Sequence, residues 1–578
     1  MKYPTLYVRQ QSRQAIDEFR GYNHNLRIGT GEFYDMKNMT SDNYPLLSPR
    51  KPRGTVDGVP GQVQGMASLN GLCYVAGGKL YYGETDGVWK VADMILSEGE
   101  KQLVPFGAYL IVMPDKLWLN TVDGTTGSCE IGEHFQGSIG IVWCKVDGEV
   151  YETVVDGEAE PENKSQMWVH NGSLLEWNET LNQWSEVEHC YLKLIHKGIG
   201  SSFEPGNQVM FEEHDASFSF PFSRYKEYTI MKKEKDCIVI DAKMPYMRVE
   251  LENTMFSVEA KMPLMDFVFE HENRLWGCRY GLNLSGEFVN EIYASKLGDF
   301  KNWSSFKGVS TDSYIASCGT DGPWTGAIKA LGYPLFFKEN YLHKVYGSYP
   351  ANYQIQAMEC RGVRKGCHKS LVTVNEILYY LSGSGVCAYD GSLPVCVSGN
   401  LGSGIFRDAV AGRYGNKYYI SMEGEDGHHL FAYDGLKGLW HREDRTEVRE
   451  FCTVGDSLYY TDASGYVRCI GGGVPAEKKV EWSCETGVIG ASDHENKYIS
   501  RINLRLEAAV GTMIVFYAQY DSAGSWVHVG SFSGRTMDSV TVPLRIRRCD
   551  HLRLRIVGRG EGKIYGMTLV LEKGSDIR

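Results

Sequence analysis

The segment Asn375–Gly391, NEILYYLSGSGVCAYDG, shows the pattern that decides the fold: a turn, an aromatic-rich strand, a second turn and another strand. The pattern recurs in YPLFFKENYLHKVYG from Tyr333, YGNKYYISMEGEDGHHLFAYDG from Tyr414 and GDSLYYTDASGYVRCI from Gly455. The four segments start 42, 39 and 41 residues apart. A period of about 40–45 residues built from hairpins is typical of a β-propeller blade.

Three further hairpins of the same kind occur earlier in the chain. They are GLCYVAGGKLYYG from Gly71, GAYLIVMPDKLWLN from Gly107 and NRLWGCRYGL from Asn273. Seven hairpins predict a propeller of about six or seven blades. Bulky pairs such as Tyr379 and Tyr380 would fill the space between neighbouring blades. An array of β-sandwiches is the alternative architecture.

The composition also favours an all-β chain. Glycine contributes 65 of the 578 residues and aromatic side chains 12%, with only 18 prolines, as expected for short strands joined by tight turns. No run of about 18 apolar residues is present, so the sequence predicts no membrane span. A short stretch at 11–19 is the one place where we predict a helix.

Breaks in the repeat divide the chain into five predicted regions. An extended N-terminal docking arm occupies residues 1–55, and the propeller blades occupy 56–120 and 266–473. Between the two groups of blades, residues 121–265 carry no blade pattern and are predicted to form an inserted β domain. Residues 474–578 alternate apolar and polar side chains, as in Leu552, Leu554 and Ile556, and predict a C-terminal β-sandwich or jelly roll.

Charge is distributed unevenly along the chain. The net charge is −12, yet residues 1–53 carry +4 and residues 541–578 carry +5, which leaves −21 for the middle. A protein that binds nucleic acid over its whole surface would be net basic, so that class is disfavoured. Two basic ends on an acidic body indicate docking against acidic protein surfaces. Solvated strand faces explain the pattern equally well.

Metal-binding and catalytic motifs are absent from the sequence. The 15 cysteines form no CxxC pair, which indicates reduced thiols in a chain that folds in a cytoplasm. No HExxH, Walker A or GxSxG motif occurs. We therefore expect no cofactor, no metal and no catalytic residues, and predict that the chain is not an enzyme. A propeller glycoside hydrolase, with carboxylates drawn from Glu270, Glu272 and Asp299, is the third-ranked interpretation.

The strongest basic cluster lies in the predicted sandwich. On alternating strands its arginines would line one face of a sheet. They would there contact either the phosphates of DNA or an acidic neighbouring subunit. A solvent-exposed face without a partner is the third interpretation. The cluster consists of Arg545, Arg547, Arg548, Arg553 and Arg555.

Several segments resemble one family of virion proteins. The stretch 21–54, and above all NMTSDNYPLLSPRKPR from Asn38 to Arg53, is similar to the N-terminal segment of bacteriophage "stabilisation proteins", the β-propeller tail-hub or nozzle proteins that stabilise packaged DNA. The resemblance extends to DFKNWSSFKG from Asp299, GVRKGCHKS from Gly362 and RRCDHLRLRIVGRGEGKIYG from Arg547. It spans most of the chain outside the insert.

The resemblance implies a structural subunit of a ring below the portal, in the virion tail or neck, assembled in the cytoplasm of the bacterial host. Such a ring would extend the DNA channel, retain the packaged genome and anchor fibres or tip proteins. A hexamer is favoured and a dodecamer also fits, with portal or adaptor proteins as partners and passing contact with genomic double-stranded DNA. Residues expected to dock the N-terminal arm on a neighbour are Tyr22, Tyr34, Tyr44, Arg50 and Arg53.

A carbohydrate-binding receptor or adhesin module of a phage tail is the alternative function. Aromatic-rich β-sandwiches often bind glycans through exposed tryptophan and tyrosine, and Trp526 is the candidate here. Assembly separates the two functions, because a ring protein forms oligomers whereas a lectin binds glycans as a small soluble unit.

Overall fold

The computed structural model describes residues 11–56, 62–85, 87–151, 153–187, 191–214, 226–242, 248–490, 497–534, 537–544 and 548–573. This part of the chain consists of strands and loops, with no α-helix and three short 3-10 turns at Pro350–Asn352, His368–Ser370 and Gly399–Leu401. The predicted all-β propeller class is confirmed.

Seven consecutive antiparallel sheets form the blades, numbered 1 to 7 in chain order. Each runs from an inner first strand outward, as the hairpin repeats predict. Blade 1 contains Val63–Ser68, Leu72–Ala76, Lys79–Thr85 and Val88–Val91. Blade 2 contains Gln102–Phe106, Tyr109–Met113, Leu117–Asn120 and Thr126–Ser128. Blade 3 contains Phe267–His271, Arg274–Leu282, Phe288–Ala294 and Tyr314–Ser317. Blade 4 contains Gly326–Ala330, Tyr333–Phe337, Tyr341–Tyr346 and Gln354–Glu359. Blade 5 contains Val372–Val374, Ile377–Ser382, Gly385–Tyr389 and Val395–Cys396. Blade 6 contains Arg407–Tyr414, Lys417–Gly424, Gly427–Asp434 and Leu439–Asp444.

Blade 7 closes the ring with a strand from the other end of the chain. Its first strands are Val448–Val454, Ser457–Asp462 and Val467–Ile470, and Gly54–Thr55 pairs beside them, flanked by Val474–Pro475. The first strand of blade 7 lies against those of blades 6 and 1. Blade 1 therefore meets blade 7, and the seven sheets form a closed circle.

Aromatic side chains pack between blades as predicted. Tyr379 of blade 5 stacks on Tyr418 of blade 6 with ring centroids 5.2 Å apart, and both rings are buried. Stacked rings at this separation contribute beyond their buried area, so the aromatic repeats hold neighbouring blades together.

A closed six-stranded barrel follows blade 2, inside the stretch where the repeat is interrupted. Its strands, in spatial order, are Ile131–Cys144, Tyr191–Ile195, Cys237–Asp241, Tyr228–Glu234, Gln208–Glu213 and Arg248–Ala260. A small sheet of Val154–Asp156, Met167–His170, Ser173–Asn178 and Gln183–Glu186 lies beside the barrel. The barrel has an apolar core of its own, with Phe203 and Ile238 fully buried.

The C-terminal region is a sandwich of two sheets that takes strands from the N-terminal segment. One sheet contains Gln11–Ile16, Gly562–Lys573, Lys497–Ala508, Asp538–Pro543 and Arg548–Cys549. The other contains Phe33–Lys37, Glu481–Thr486, Leu552–Arg559, Met513–Tyr520 and Val527–Ser533. The predicted helix at 11–19 is wrong, because residues 11–16 form a strand that pairs with Met567–Glu572.

One apolar cluster joins the sandwich to the propeller. It runs from Leu504 in the sandwich through Phe33 in the N-terminal segment to Phe431 in blade 6. The N-terminal segment therefore packs between the two large units, and a buried apolar interface of this kind holds domains in a fixed arrangement.

Two buried histidines make stability sensitive to mild acid. Burial lowers the pKa of His343 to about 4. Burial and the nearby Lys417 ammonium lower the pKa of His441 to about 3. Below pH 6.5 the unfolded chain takes up protons at these sites and the folded chain does not, so stability falls with pH. We expect a loss of about 2 kcal/mol per histidine between pH 7 and pH 5.

Urea denaturation of the native chain and of His441→Asn at both pH values measures this effect. The variant should lose less stability than the native chain between pH 7 and pH 5. An equal loss in both proteins would contradict the assignment of acid sensitivity to His441.

Candidate functional site

A cavity with a volume of about 1020 Å3, here called the axial cavity, lies at the ends of the inner strands of the propeller. It is lined by the ends of inner strands and the adjoining turns of blades 1, 2, 5, 6 and 7. Glycine backbone at Gly77, Gly78, Gly99 and Gly366 forms part of the wall. Five acidic and two basic side chains reach it, which leaves an excess of three negative charges.

Lys369 spans this cavity through two ion pairs. Its Nζ donates to Glu100 Oε1 at 2.6 Å, to Glu450 Oε2, and to the backbone carbonyl of Arg449 at 3.1 Å. Lys369 precedes blade 5, Glu100 precedes blade 2 and Glu450 lies on the first strand of blade 7. No two of these blades are neighbours, so the ion pairs link separate blades across the inner side of the propeller.

The two carboxyl groups differ in their acidity. Burial raises the pKa of Glu450 above its usual value, and the charge of Lys369 offsets this only in part. At Glu100, burial is outweighed by the hydrogen bond and charge of Lys369, which lower the pKa. Burial lowers the pKa of Lys369, but the charges and hydrogen bonds of Glu450 and Glu100 outweigh this effect and raise the pKa. The two carboxyl groups thus have pKa values shifted in opposite directions by their surroundings.

Metal ligation is not favoured at this site. No group of three histidine, cysteine, aspartate or glutamate residues with metal-binding geometry occurs in the described ranges. The cysteines in those ranges are free thiols. The cavity can instead offer hydrogen-bond acceptors and backbone groups to an organic ligand.

The predicted arginine cluster is only partly described, and its three described members make contacts within the chain. Arg545 and Arg547 lie outside the described residues. Arg553 and Arg555 both pair with the carboxylate of Glu485, at 2.5 and 2.8 Å. Arg548 is exposed and donates to the hydroxyl of Tyr498 at 3.1 Å. The structure thus gives Arg553 and Arg555 an acidic partner within the chain.

The predicted docking residues also contact this chain itself. Arg50 forms a bidentate pair with Glu477 at 2.7 and 2.9 Å, and Arg53 binds Glu443 at 2.5 Å. The ring of Tyr22 is buried. Glu443 lies in blade 6 and Glu477 in the linker after blade 7, so both arginines hold the N-terminal segment against their own chain. Docking of this segment on a neighbouring copy stays a prediction.

The remaining two tyrosines of the N-terminal segment are occupied within the chain as well. Tyr44 donates to the carboxylate of Glu18. The ring of Tyr34 lies 4.8 Å from the guanidinium of Arg553 and stacks on His24. Tyr44 therefore links two parts of the N-terminal segment, and Tyr34 helps to fix the segment against the sandwich.

The carboxylates first considered for glycoside hydrolysis do not line the axial cavity. Glu270 pairs with Lys329 at 2.6 Å, and Asp299 caps a turn by accepting from the Lys301 N–H at 3.2 Å. Glu272 occupies a turn with a φ of 50°. Trp526, the glycan-binding candidate, is half-buried with the Arg555 guanidinium 4.1 Å from its ring.

Sequence reasoning missed the axial residues altogether. Glu100 lies in SEGEKQ and Lys369 in GCHKS, neither of which has a motif that marks a site. The one usable signal is positional, since each lies next to the inner strand of a blade, where a propeller brings side chains to its centre.

Comparisons with known proteins return distant solved structures only. A scan of protein-family models finds no matching family, and a search of the curated proteins finds no relative. Among solved structures, BamB from Moraxella catarrhalis is 10% identical, with 73% of this chain and 97% of that chain covered and a TM-score of 0.32. Likeness at this level concerns the fold alone.

Two further structures belong to proteins that act on carbohydrates. An exo-β-1,3-galactanase from Phanerochaete chrysosporium, solved with galactose, is 10% identical over 52% of this chain and 94% of that chain, with a TM-score of 0.21. The endosialidase of phage phi92 is 10% identical over 82% of this chain and 56% of that chain, with a TM-score of 0.15.

The prediction that the chain is not an enzyme has to be corrected. Glycoside hydrolases recur among the similar structures. The lack of a catalytic motif in the sequence does not exclude activity. The class that the fold defines is a β-propeller protein with an inserted barrel and a terminal sandwich.

The described residues contain no helix that is long and apolar enough to span a membrane.

Proposed function

We propose that the chain is a structural subunit of a ring in the tail or neck of a bacteriophage. In this role it extends the DNA channel below the portal, helps to retain the packaged genome and anchors fibres or tip proteins. The partners are further copies of the chain, with six favoured and twelve also fitting, together with portal or adaptor proteins.

One observation carries the proposal. The segment that most resembles the virion family, residues 38–53, lies at the contact between the propeller and the sandwich, which we call the seam. Asn38 accepts from the Nε of Arg50 and donates through its side chain to the carbonyl of Glu481. Arg50 and Arg53 bind acidic groups on either side of the same seam. The resemblance therefore lies in residues on which this arrangement of propeller and sandwich depends.

The ion pairs of Lys369 across the inner side of the propeller support a channel formed between chains. A duplex cannot pass through an opening that the side chain of Lys369 spans. A rigid, closed disc with a sandwich fixed to it is suited to repeat around a ring, with DNA in the space between copies. The acidic body would repel the DNA backbone and let it slide.

Negative-stain electron microscopy of the purified full-length protein tests the proposal. We expect rings of six or twelve copies, alone or after addition of the cognate portal protein. Monodisperse monomers under both conditions would overturn it.

A further inference from the structure

The carboxylates at the propeller centre each keep one oxygen available. Glu100 binds Lys369 through Oε1 and Glu450 binds it through Oε2, and no described residue donates a hydrogen bond to the other oxygen of either group. The Glu100 side chain is 64% exposed and lies in the wall of the cavity. Two fixed acceptors thus face a cavity at the centre of a rigid ring.

We propose that this axial cavity binds a saccharide that carries no acidic groups, with Glu100 and Glu450 accepting hydrogen bonds from its hydroxyls. This inference goes beyond the ring function and does not depend on it. A ring subunit with such a site would also recognise a glycan.

The dimensions and wall of the cavity favour this class of ligand. Its volume of about 1020 Å3 is at the upper end of the range for small-molecule sites, about 300–1,000 Å3, which leaves room for an oligosaccharide. The wall combines polar side chains and glycine backbone with apolar side chains such as Leu96 and Val410, which suits a saccharide because its hydroxyls are polar and its ring faces are apolar.

Charge excludes the acidic sugars. Glu98, Asp408 and Glu447 reach the cavity in addition to the central pair, whereas only Lys369 and Arg449 are basic. A carboxylated, phosphorylated or sulfated saccharide would meet like charges in a partly enclosed space, which is unfavourable.

Lys369 acts as a positioning residue. Its three ammonium protons are used by Glu100, Glu450 and the Arg449 carbonyl, so none remains for a ligand. Its role is to hold two like charges close together with fixed orientations. Preorganised acceptors bind more tightly because less ordering is required when the ligand arrives.

The test is calorimetric titration of the full-length protein with three neutral tetrasaccharides, cellotetraose, maltotetraose and N,N′,N″,N‴-tetraacetylchitotetraose, and with trigalacturonate as the acidic probe. We expect one-to-one binding of at least one neutral probe and none of trigalacturonate. Lys369→Met and Glu450→Ala should each weaken binding about tenfold or more. Lys369→Arg should retain most of it, because a guanidinium can still bridge the carboxylates.

Lys145→Met is the matched control, since Lys145 pairs with Glu149 on the surface of the barrel, away from the cavity. It should bind like the native chain, and thermal unfolding of every variant reports any loss of fold separately. Release of reducing ends from a bound probe would support the site and add hydrolysis to it. No neutral binding up to about 1 mM, or equal affinity in native and well-folded Lys369→Met protein, would overturn the inference.

Discussion

Arg53→Met is expected to lower the free energy of unfolding by about 3–5 kcal/mol. The Arg53 side chain is 7% exposed and binds Glu443 at 2.5 Å and Asp444 at 2.8 Å. Burial lowers the pKa of Arg53, but these two carboxylates outweigh it, so the guanidinium stays charged. Without the guanidinium, Glu443 keeps the longer contact with Arg50 at 3.5 Å and its hydrogen bond with Tyr419, but it loses its closest ionic partner in the interior.

Urea denaturation followed by tryptophan fluorescence measures the loss. Lys145→Met removes an exposed ion pair and should cost no more than about 1 kcal/mol. The double variant Arg53→Met with Glu443→Leu should be more stable than Arg53→Met alone, because it removes the unpaired charge as well. If Arg53→Met were as stable as the control variant, the seam would not depend on this ion pair.

Trp440→Ala is expected to cost about 3–5 kcal/mol of unfolding free energy. The indole is buried in blade 6, packs against Tyr433 with ring centroids 4.7 Å apart, and donates to the carbonyl of Val397 at 2.8 Å. Its own carbonyl accepts from the Tyr22 N–H at 2.6 Å. The cavity left by the indole would therefore weaken the blade and the attachment of the N-terminal segment together.

A half-buried tryptophan of the insert provides the comparison. Trp177 lies in the small sheet beside the barrel, with the Lys164 ammonium 3.5 Å from its ring centre. Trp177→Ala should cost about 1 kcal/mol. Equal losses for Trp440→Ala and Trp177→Ala in the same urea experiment would contradict the central place given to Trp440.

The propeller could be predicted from sequence because its signal is local and repeated. Each blade is built from consecutive hairpins, so residues such as Tyr379 and Tyr418 recur at a fixed spacing and mark the contacts between blades. The sandwich strand that contains Leu552 and Leu554 shows the two-residue alternation of a sheet with one buried face.

The N-terminal segment could not be predicted in the same way. Residues 11–16 pair with a strand more than 550 residues further along, and their sequence QSRQAI has no strong strand propensity. Long-range pairing decided the structure there and overrode the local preference. For the same reason, the acidic partners of Arg50 and Arg53, about 390 to 430 residues away, could not be identified.

The axial site eluded prediction because it exists only after ring closure. Glu100, Lys369 and Glu450 lie far apart in the sequence and meet only when blades 2, 5 and 7 face one centre. Carboxylates are common throughout the chain, so composition could not single out this pair, and Glu270 and Asp299 were considered instead.

The proposed ring implies one arrangement of the particle. In it, each chain would be a rigid unit and the DNA path would run between chains. The axial cavities are then distributed around the ring, one in each copy, and remain open to small ligands.

Gold-labelled antibody against the purified protein, applied to virions of the phage that encodes the chain, tests the central claim most directly. Electron micrographs should show label at the neck or tail of intact particles. Label absent from every virion, or confined to the capsid, while the antibody still binds the purified protein, would contradict it.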